Sequence, residues 1–287
     1  MILRHIQLRS LWLSAWGIAL VSAGLSPIVQ ADSIMFISNI SVQDTNEAYG
    51  GFRGPLQDLY ETHGLSVGNG MPIDFIGDFE DGPTTTESGH VFDDDHQGYP
   101  HTLIGHITEK LDGSCHGGHG TARQLNKNKA IENHQPDRVF LYQGAQNMLQ
   151  SVGTAELAPS QMDALIAQIY GVLPDVSIWV STLLPKLDGN RRNKRIQTFN
   201  NELPTIVADY ASLGKDISLI DMHAAFVGHA DMASLYSNDN INPNEAGYEL
   251  IAATIFGELA VTPEPSTVLL LTISSLPLLS RQRRIRF

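Results

Sequence analysis

The 287-residue chain reads as an α/β protein built on a central parallel sheet, and three features predict this. Short apolar runs recur along the chain, helical stripes of apolar residues lie between them, and the last run is followed by a marked helix start. That alternation is the pattern of β-α-β units wound around one sheet.

The elements follow in order. Residues 34–37, 139–142, 177–182 and 218–220 form apolar runs of strand length. Between the second and third, Ser160 is placed to cap a helix whose Met162, Leu165, Ile166, Ile169, Tyr170 and Leu173 share one face, and Pro174 stops it. Between the third and fourth, Ile196, Phe199, Leu203, Ile206, Val207, Tyr210 and Leu213 make a second stripe. Gly214 closes that helix and Pro204 is expected to kink it. The final helix begins at Asn242-Pro243-Asn244-Glu245, with Asn242 as the expected cap, and turns Leu250, Ile251, Ile255 and Leu259 inward. Residues 81–120, rich in Gly, His, Asp and Thr, read as long loops around one short helix near 103–111.

Both ends carry targeting signals. Arg4 and Arg9 precede an apolar stretch, residues 11–21, and the small residues Val29 and Ala31 mark a cleavage site before Asp32. A retained membrane anchor is the alternative. At the other end Pro263-Glu264-Pro265-Ser266 leads into an apolar run, 267–279, and then Arg281, Arg283, Arg284 and Arg286. The run is short for a span, which needs ~20 apolar residues. A plain C-terminal anchor obeying the positive-inside rule fits it too. Three segments are expected: a signal peptide over 1–31, one domain over 32–261, and a sorting or anchor segment over 262–287.

The balance of 18 Lys+Arg against 31 Asp+Glu is acidic, and more so between the ends, since two of those cations lie in the leader and four in the tail. Nucleic acid and anionic headgroups are therefore not expected partners. Cys115 is the only cysteine, so no internal disulfide exists.

Four segments carry the chemistry. They are 34–40 with Tyr49-Gly50-Gly51-Phe52-Arg53-Gly54-Pro55-Leu56, then His96-Gln97-Gly98-Tyr99-Pro100-His101-Thr102, then 136–147 ending Gln143-Gly144-Ala145-Gln146-Asn147, and finally 239–248 opening Asp239-Asn240-Ile241-Asn242. In order and spacing they resemble the four blocks of SGNH (GDSL-type) hydrolases, nearest to members that deacetylate polysaccharides. The C-terminal tail resembles the PEP-CTERM sorting signal of Gram-negative bacteria. The first resemblance implies a three-layer, flavodoxin-like α/β/α sandwich and ester hydrolysis by a Ser-His-Asp set with an oxyanion hole. The second implies a sorting protease of the exosortase type and delivery to the cell surface or matrix.

Position by position, the catalytic letters differ. Ile40 stands at the nucleophile, His101 at the second-block glycine, Gln146 at the oxyanion asparagine and Asn242 at the histidine, while Asp239 keeps the orienting acid. Isoleucine cannot form an acyl-enzyme, and an amide such as Asn242 cannot take up a proton near neutral pH. A one-residue shift would offer Ser41 as nucleophile, and Ser38 is a further hydroxyl; His101 or His223 would then have to serve as base. Ser41 and Asp239 are thus the expected catalytic residues of any remaining activity, and Asn39, His101, Gln146 and Asn147 the expected ligand contacts. The ligand expected is a polysaccharide or acylated small molecule, with no metal and no cofactor. Cys115-His116-Gly117-Gly118-His119 lacks a second cluster for zinc, and Asp93-Asp94-Asp95-His96 lacks calcium-loop spacing and reads as a solvated acidic turn. Arg191, Arg192, Lys194 and Arg195 crowd a helix start, as a solvated face or as an anion or polysaccharide contact.

Overall fold

The computed structural model describes residues 32–39, 50–111 and 129–260, with the backbone alone for 259 and 260. The expected leader, the tail and the Cys115 cluster lie outside these residues. Among the described residues no helix is long and apolar enough to cross a membrane.

Along the chain run β1 (Asp32–Ser38), α1 (Arg53–Thr62), β2 (Ile73–Ile76), β3 (Phe79–Glu80), β4 (Asp95–His96), α2 (Ile104–Leu111), α3 (Ala130–His134) and β5 (Arg138–Tyr142). They continue with α4 (Ala145–Gln150), α5 (Val152–Val172), β6 (Ser177–Ser181), α6 (Asn190–Ser212), β7 (Ile217–Ile220), α7 (Met222–Val227), a 3-10 turn (Met232–Leu235) and α8 (Glu245–Ala260). Five strands form one parallel sheet in the order β2-β1-β5-β6-β7. The four apolar runs supply β1, β5, β6 and β7, and β1 is buried continuously from Ile34 to Ser38, as a parallel strand covered on both faces must be. α1 packs on α8, and α2 and α6 on α5, giving the helical layers of the expected sandwich.

Several local expectations are corrected. β2 is an edge strand that alternates buried and half-buried residues, a pattern too short to stand out in the sequence. The supposed loop after it contains an antiparallel pair, β3 with β4. α5 begins at Val152 rather than near Ser160, because Ser151 and Thr154 form a reciprocal capping box; Ser160 lies inside the helix and donates to the Leu157 carbonyl. Leu213 lies just past the end of α6 and is 73% exposed, so it leaves the stripe. The cap of α8 is Asn244 and not Asn242: Asn244 Oδ1 accepts from Gly247 N at 3.1 Å.

α1 fastens the 81–95 segment through Arg53, a charged side chain with no exposure. Its guanidinium donates to the carbonyls of Asp93 (3.3 Å), Asp95 (3.2 Å) and Asp81 (2.5 Å). It also stands 4.9 Å over the Phe92 ring. Burial lowers its pKa to about 10 against the pull of the surrounding aspartates. One turn on, Gln57 donates to the Val91 carbonyl and accepts from Asp93 N. Asp93 is therefore buried rather than part of a solvated turn; its Oδ2 accepts from Phe75 N at 2.8 Å, and burial pushes its pKa up to about 7. His96 is wholly buried, with Nδ1 accepting from Gly98 N at 3.0 Å, and burial drops its pKa to about 2, so it stays neutral.

Candidate active site at the strand ends

Parallel strands deliver their C-terminal ends to one edge of the sheet, where α/β folds carry their ligands. Here the ends of β1, β5 and β6 bring the four motif segments together in two clusters.

The first cluster is knit by Asn39, the residue after β1. Its Nδ2 donates to the carbonyls of Tyr99 (2.9 Å) and Thr102 (3.1 Å), and its Oδ1 accepts from Gly144 N (3.0 Å). Its own N–H donates to the Tyr142 carbonyl at 2.9 Å. One amide thus joins the first three motif segments. Asn147, buried in α4, links its surroundings in a similar way. Its Oδ1 accepts from Ile104 N at the start of α2, and its Nδ2 donates to the Thr154 carbonyl and to Gln161 Oε1. Both asparagines, expected to meet ligand, spend their amides on protein groups instead.

His101 is exposed and sits at φ 56°, in the left-handed region that favours glycine. The backbone there has the shape that the family's glycine would supply. Gln146 is half-buried at the second position of α4. Ser38 is fully buried within the strand ladder. Ile40 and Ser41 lie outside the described residues.

The second cluster surrounds Asp239. Its Oδ2 accepts from Asn242 Nδ2 at 2.7 Å, and its Oδ1 from the N–H groups of Ile241 (2.8 Å) and Asn242 (2.9 Å) and from the Ser237 hydroxyl (2.8 Å). Partial burial raises its pKa, yet these four donors together hold the carboxyl below its ordinary value. Among the described residues no histidine comes within ion-pair distance of Asp239; His223 lies in the first turn of α7, half-buried. Asn242 thus makes the contact to Asp239 that an imidazole would make at that position, but with a group that only donates there.

Two residues that sequence reasoning missed stand beside these clusters. Lys186, in the loop after β6, is buried and donates from Nζ to the Ile241 carbonyl. Burial lowers its pKa to about 8, opposed by the nearby Asp239 and aided by Arg192. Gln143, directly after β5, has no exposure, and neither its Oε1 nor its Nε2 has a hydrogen-bond partner. A lysine after Leu183-Leu184-Pro185 and a glutamine closing an apolar strand were the available signals. Among the described residues no group of three or more His, Cys, Asp or Glu side chains could hold a metal ion.

With this geometry in place, comparison with known proteins fixes the family. A model of the GDSL-like Lipase/Acylhydrolase family matches residues 85–250, and the chain belongs to that family. Its fold is that of the family 3 carbohydrate esterase of Clostridium thermocellum, with 24% identity, a TM-score of 0.60, and 79% of this chain and 94% of that one covered. It is similarly close to a family 3 carbohydrate esterase from Talaromyces cellulolyticus (18% identity, TM-score 0.60, 80% and 96% covered). A lipase/acylhydrolase from Enterococcus faecalis aligns over 80% of this chain and 95% of its own, at 16% identity and a TM-score of 0.55. Among curated proteins, "Putative endoglucanase X" of Acetivibrio thermocellus is 28% identical over 128 residues, 44% of this chain. The chain spans about half (51%) of the length of that relative.

Proposed function

We propose that this is an exported GDSL-family protein whose cleft holds a carbohydrate or acylated ligand and whose standard ester-cleaving machinery is dismantled. The observation that carries the reading is the Asn242–Asp239 contact at 2.7 Å. Ester hydrolysis by this family's route needs a hydroxyl to lose its proton to a base as it attacks, and the base must return that proton to the leaving alcohol. The Asn242 amide does neither, and Ile40 offers no oxygen. Replacing the oxyanion asparagine by Gln146 lengthens its stem by one carbon; loss of such a donor costs ~3 kcal/mol of barrier. The carbohydrate esterase neighbours and the family match support a sugar or acyl ligand. Export, through the leader and the PEP-CTERM-like tail, belongs to the same proposal.

The second reading is an active carbohydrate esterase. Ser38, buried in the sheet, is poorly placed for it, so that reading rests on Ser41 with a relocated base. The full chain, assayed on p-nitrophenyl acetate and acetylated xylan beside Ser41→Ala, separates the two. Turnover equal to that of Ser41→Ala, together with retention on an acetylated-xylan column, supports the binding protein; turnover abolished by Ser41→Ala establishes the enzyme and sinks the first reading.

A further inference from the structure

The basic residues of the first turns of α6 line a groove of about 690 Å³ between that helix and the start of α5. This is the size of a ligand cleft. Arg191, Lys194, Arg195 and Thr198 form one wall, spaced i, i+3, i+4 and i+7 on a single helix face. Val152, Ala155 and Glu156 form the other, again at i, i+3 and i+4. On a chain with 18 basic and 31 acidic residues, three cations facing one groove are a local inversion of sign. Among the described residues none of the three has an ion-pair partner, whereas Arg192, outside the groove, is paired with Asp188.

Both walls are tied to the candidate site. On the α5 side, Asn147 donates to the Thr154 carbonyl at 3.1 Å, and Thr154 Oγ1 donates back to the Asn147 carbonyl at 2.8 Å. On the α6 side, Asn193 grips the backbone of Lys186 with both ends of its amide, and Lys186 in turn holds the Ile241 carbonyl beside Asp239. The groove is therefore anchored to the third motif segment on one flank and to the fourth on the other.

We propose that this groove binds an acidic polysaccharide, one whose sugar rings carry carboxylates, and seats that polymer alongside the GDSL-type site. Guanidinium groups match carboxylates bidentately. Val152, 63% exposed, and Ala155 offer an apolar strip against which the C–H face of a sugar ring can lie. Glu156 and the overall charge of −13 oppose polyanions in proportion to their charge density, and so most of all nucleic acid, which carries one negative charge per ~1.7 Å of duplex. The sugar nature of the polymer rests on the carbohydrate reading above, while its charge follows from the groove alone.

The test is binding of the full chain to polygalacturonate oligomers, followed by calorimetry, with fully methyl-esterified oligomers and a single-stranded DNA oligomer as comparators. Binding is expected for the acid form alone. The combined Arg191→Gln, Lys194→Gln and Arg195→Gln changes should weaken it at least about tenfold, the worth of one charged hydrogen bond. Arg191→Gln alone, at an exposed site, should weaken it measurably, and Lys129→Gln, on α3's flank, should not. Equal binding of the methyl ester, tighter binding of DNA, indifference to the triple change, or no binding at all would each overturn the assignment. Ester turnover is read separately on p-nitrophenyl acetate, so failure of the groove and failure of the cleft reading are distinguishable.

Discussion

Asn242 donates its side-chain amide to Asp239 Oδ2 at 2.7 Å, three residues away in the same turn. In the proposed reading the acid is still positioned to orient a base, and Asn242 stands where that base would be. Restoring both missing groups with Ile40→Ser and Asn242→His should therefore create p-nitrophenyl acetate turnover at least about tenfold above the parent chain, a small part of what a full triad supplies. Either single change should give far less, because triad members act as a unit. Equal rates for the parent and the double variant, at equal folding by circular dichroism, would contradict the assignment of these positions.

Asn39 is expected to matter for stability. Asn39→Ala strands the Gly144 N–H and leaves two carbonyls, those of Tyr99 and Thr102, without their donor. Each unsatisfied buried group costs about 1–3 kcal/mol. Because Asn39 is only partly buried and water can replace part of the loss, a decrease of about 2–4 kcal/mol in unfolding free energy by urea titration is expected. A change within error would show that the clasp is not made in solution.

Gln143 gives the opposite sign. Gln143→Met keeps the length of the side chain while removing two buried amide atoms that have no partner. Replacing such a group by an apolar one of similar shape relieves about 1–3 kcal/mol of desolvation. The melting temperature should rise, and a fall would mean that the amide is satisfied in solution.

These sites also show how far the sequence reached. β1, β5 and β6 were legible because continuous apolar runs fit a doubly covered parallel sheet, and the edge strand β7 because it closes the last β-α-β unit. β3 and β4, two residues each, carry no periodicity to read. The start of α5 was misplaced because Pro159-Ser160 looks like a helix opening, while Val152 and Gly153, poor helix formers, conceal the Ser151–Thr154 box. The Asn242–Asp239 contact, though local, was hidden because Asn before Pro243 looks like the helix cap that Asn244 in fact supplies. The Asn39 clasp and the Lys186 bond to Ile241 were hidden too, since each depends on segments tens of residues apart meeting above the sheet.

Asp93 sets a pH dependence. Its folded pKa of about 7 lies above the ordinary 3.8, so the folded state holds this proton more tightly than the unfolded chain does. Its contribution is complete below 3.8 and is lost as pH rises through about 7. Asn at this position keeps an oxygen for Phe75 N and carries no charge. Asp93→Asn should therefore gain stability relative to the parent as pH rises from about 4 to about 8, and little thereafter. Comparing the two proteins at each pH removes the opposing effect of neutral His96, whose depressed pKa weakens the fold as pH falls below its ordinary 6.5. A gap independent of pH would show that Asp93 titrates normally.

Arg53 holds the 81–95 segment from beneath, through the peptide oxygens of Asp81, Asp93 and Asp95 and the inward-facing ring of Phe92. A clamp of that kind is indifferent to which side chains the segment displays outward. The exposed rim positions Thr84, Thr85, Glu87 and Ser88 could therefore be rewritten, changing what the protein meets at its surface, while the arginine beneath goes on holding the same path of backbone.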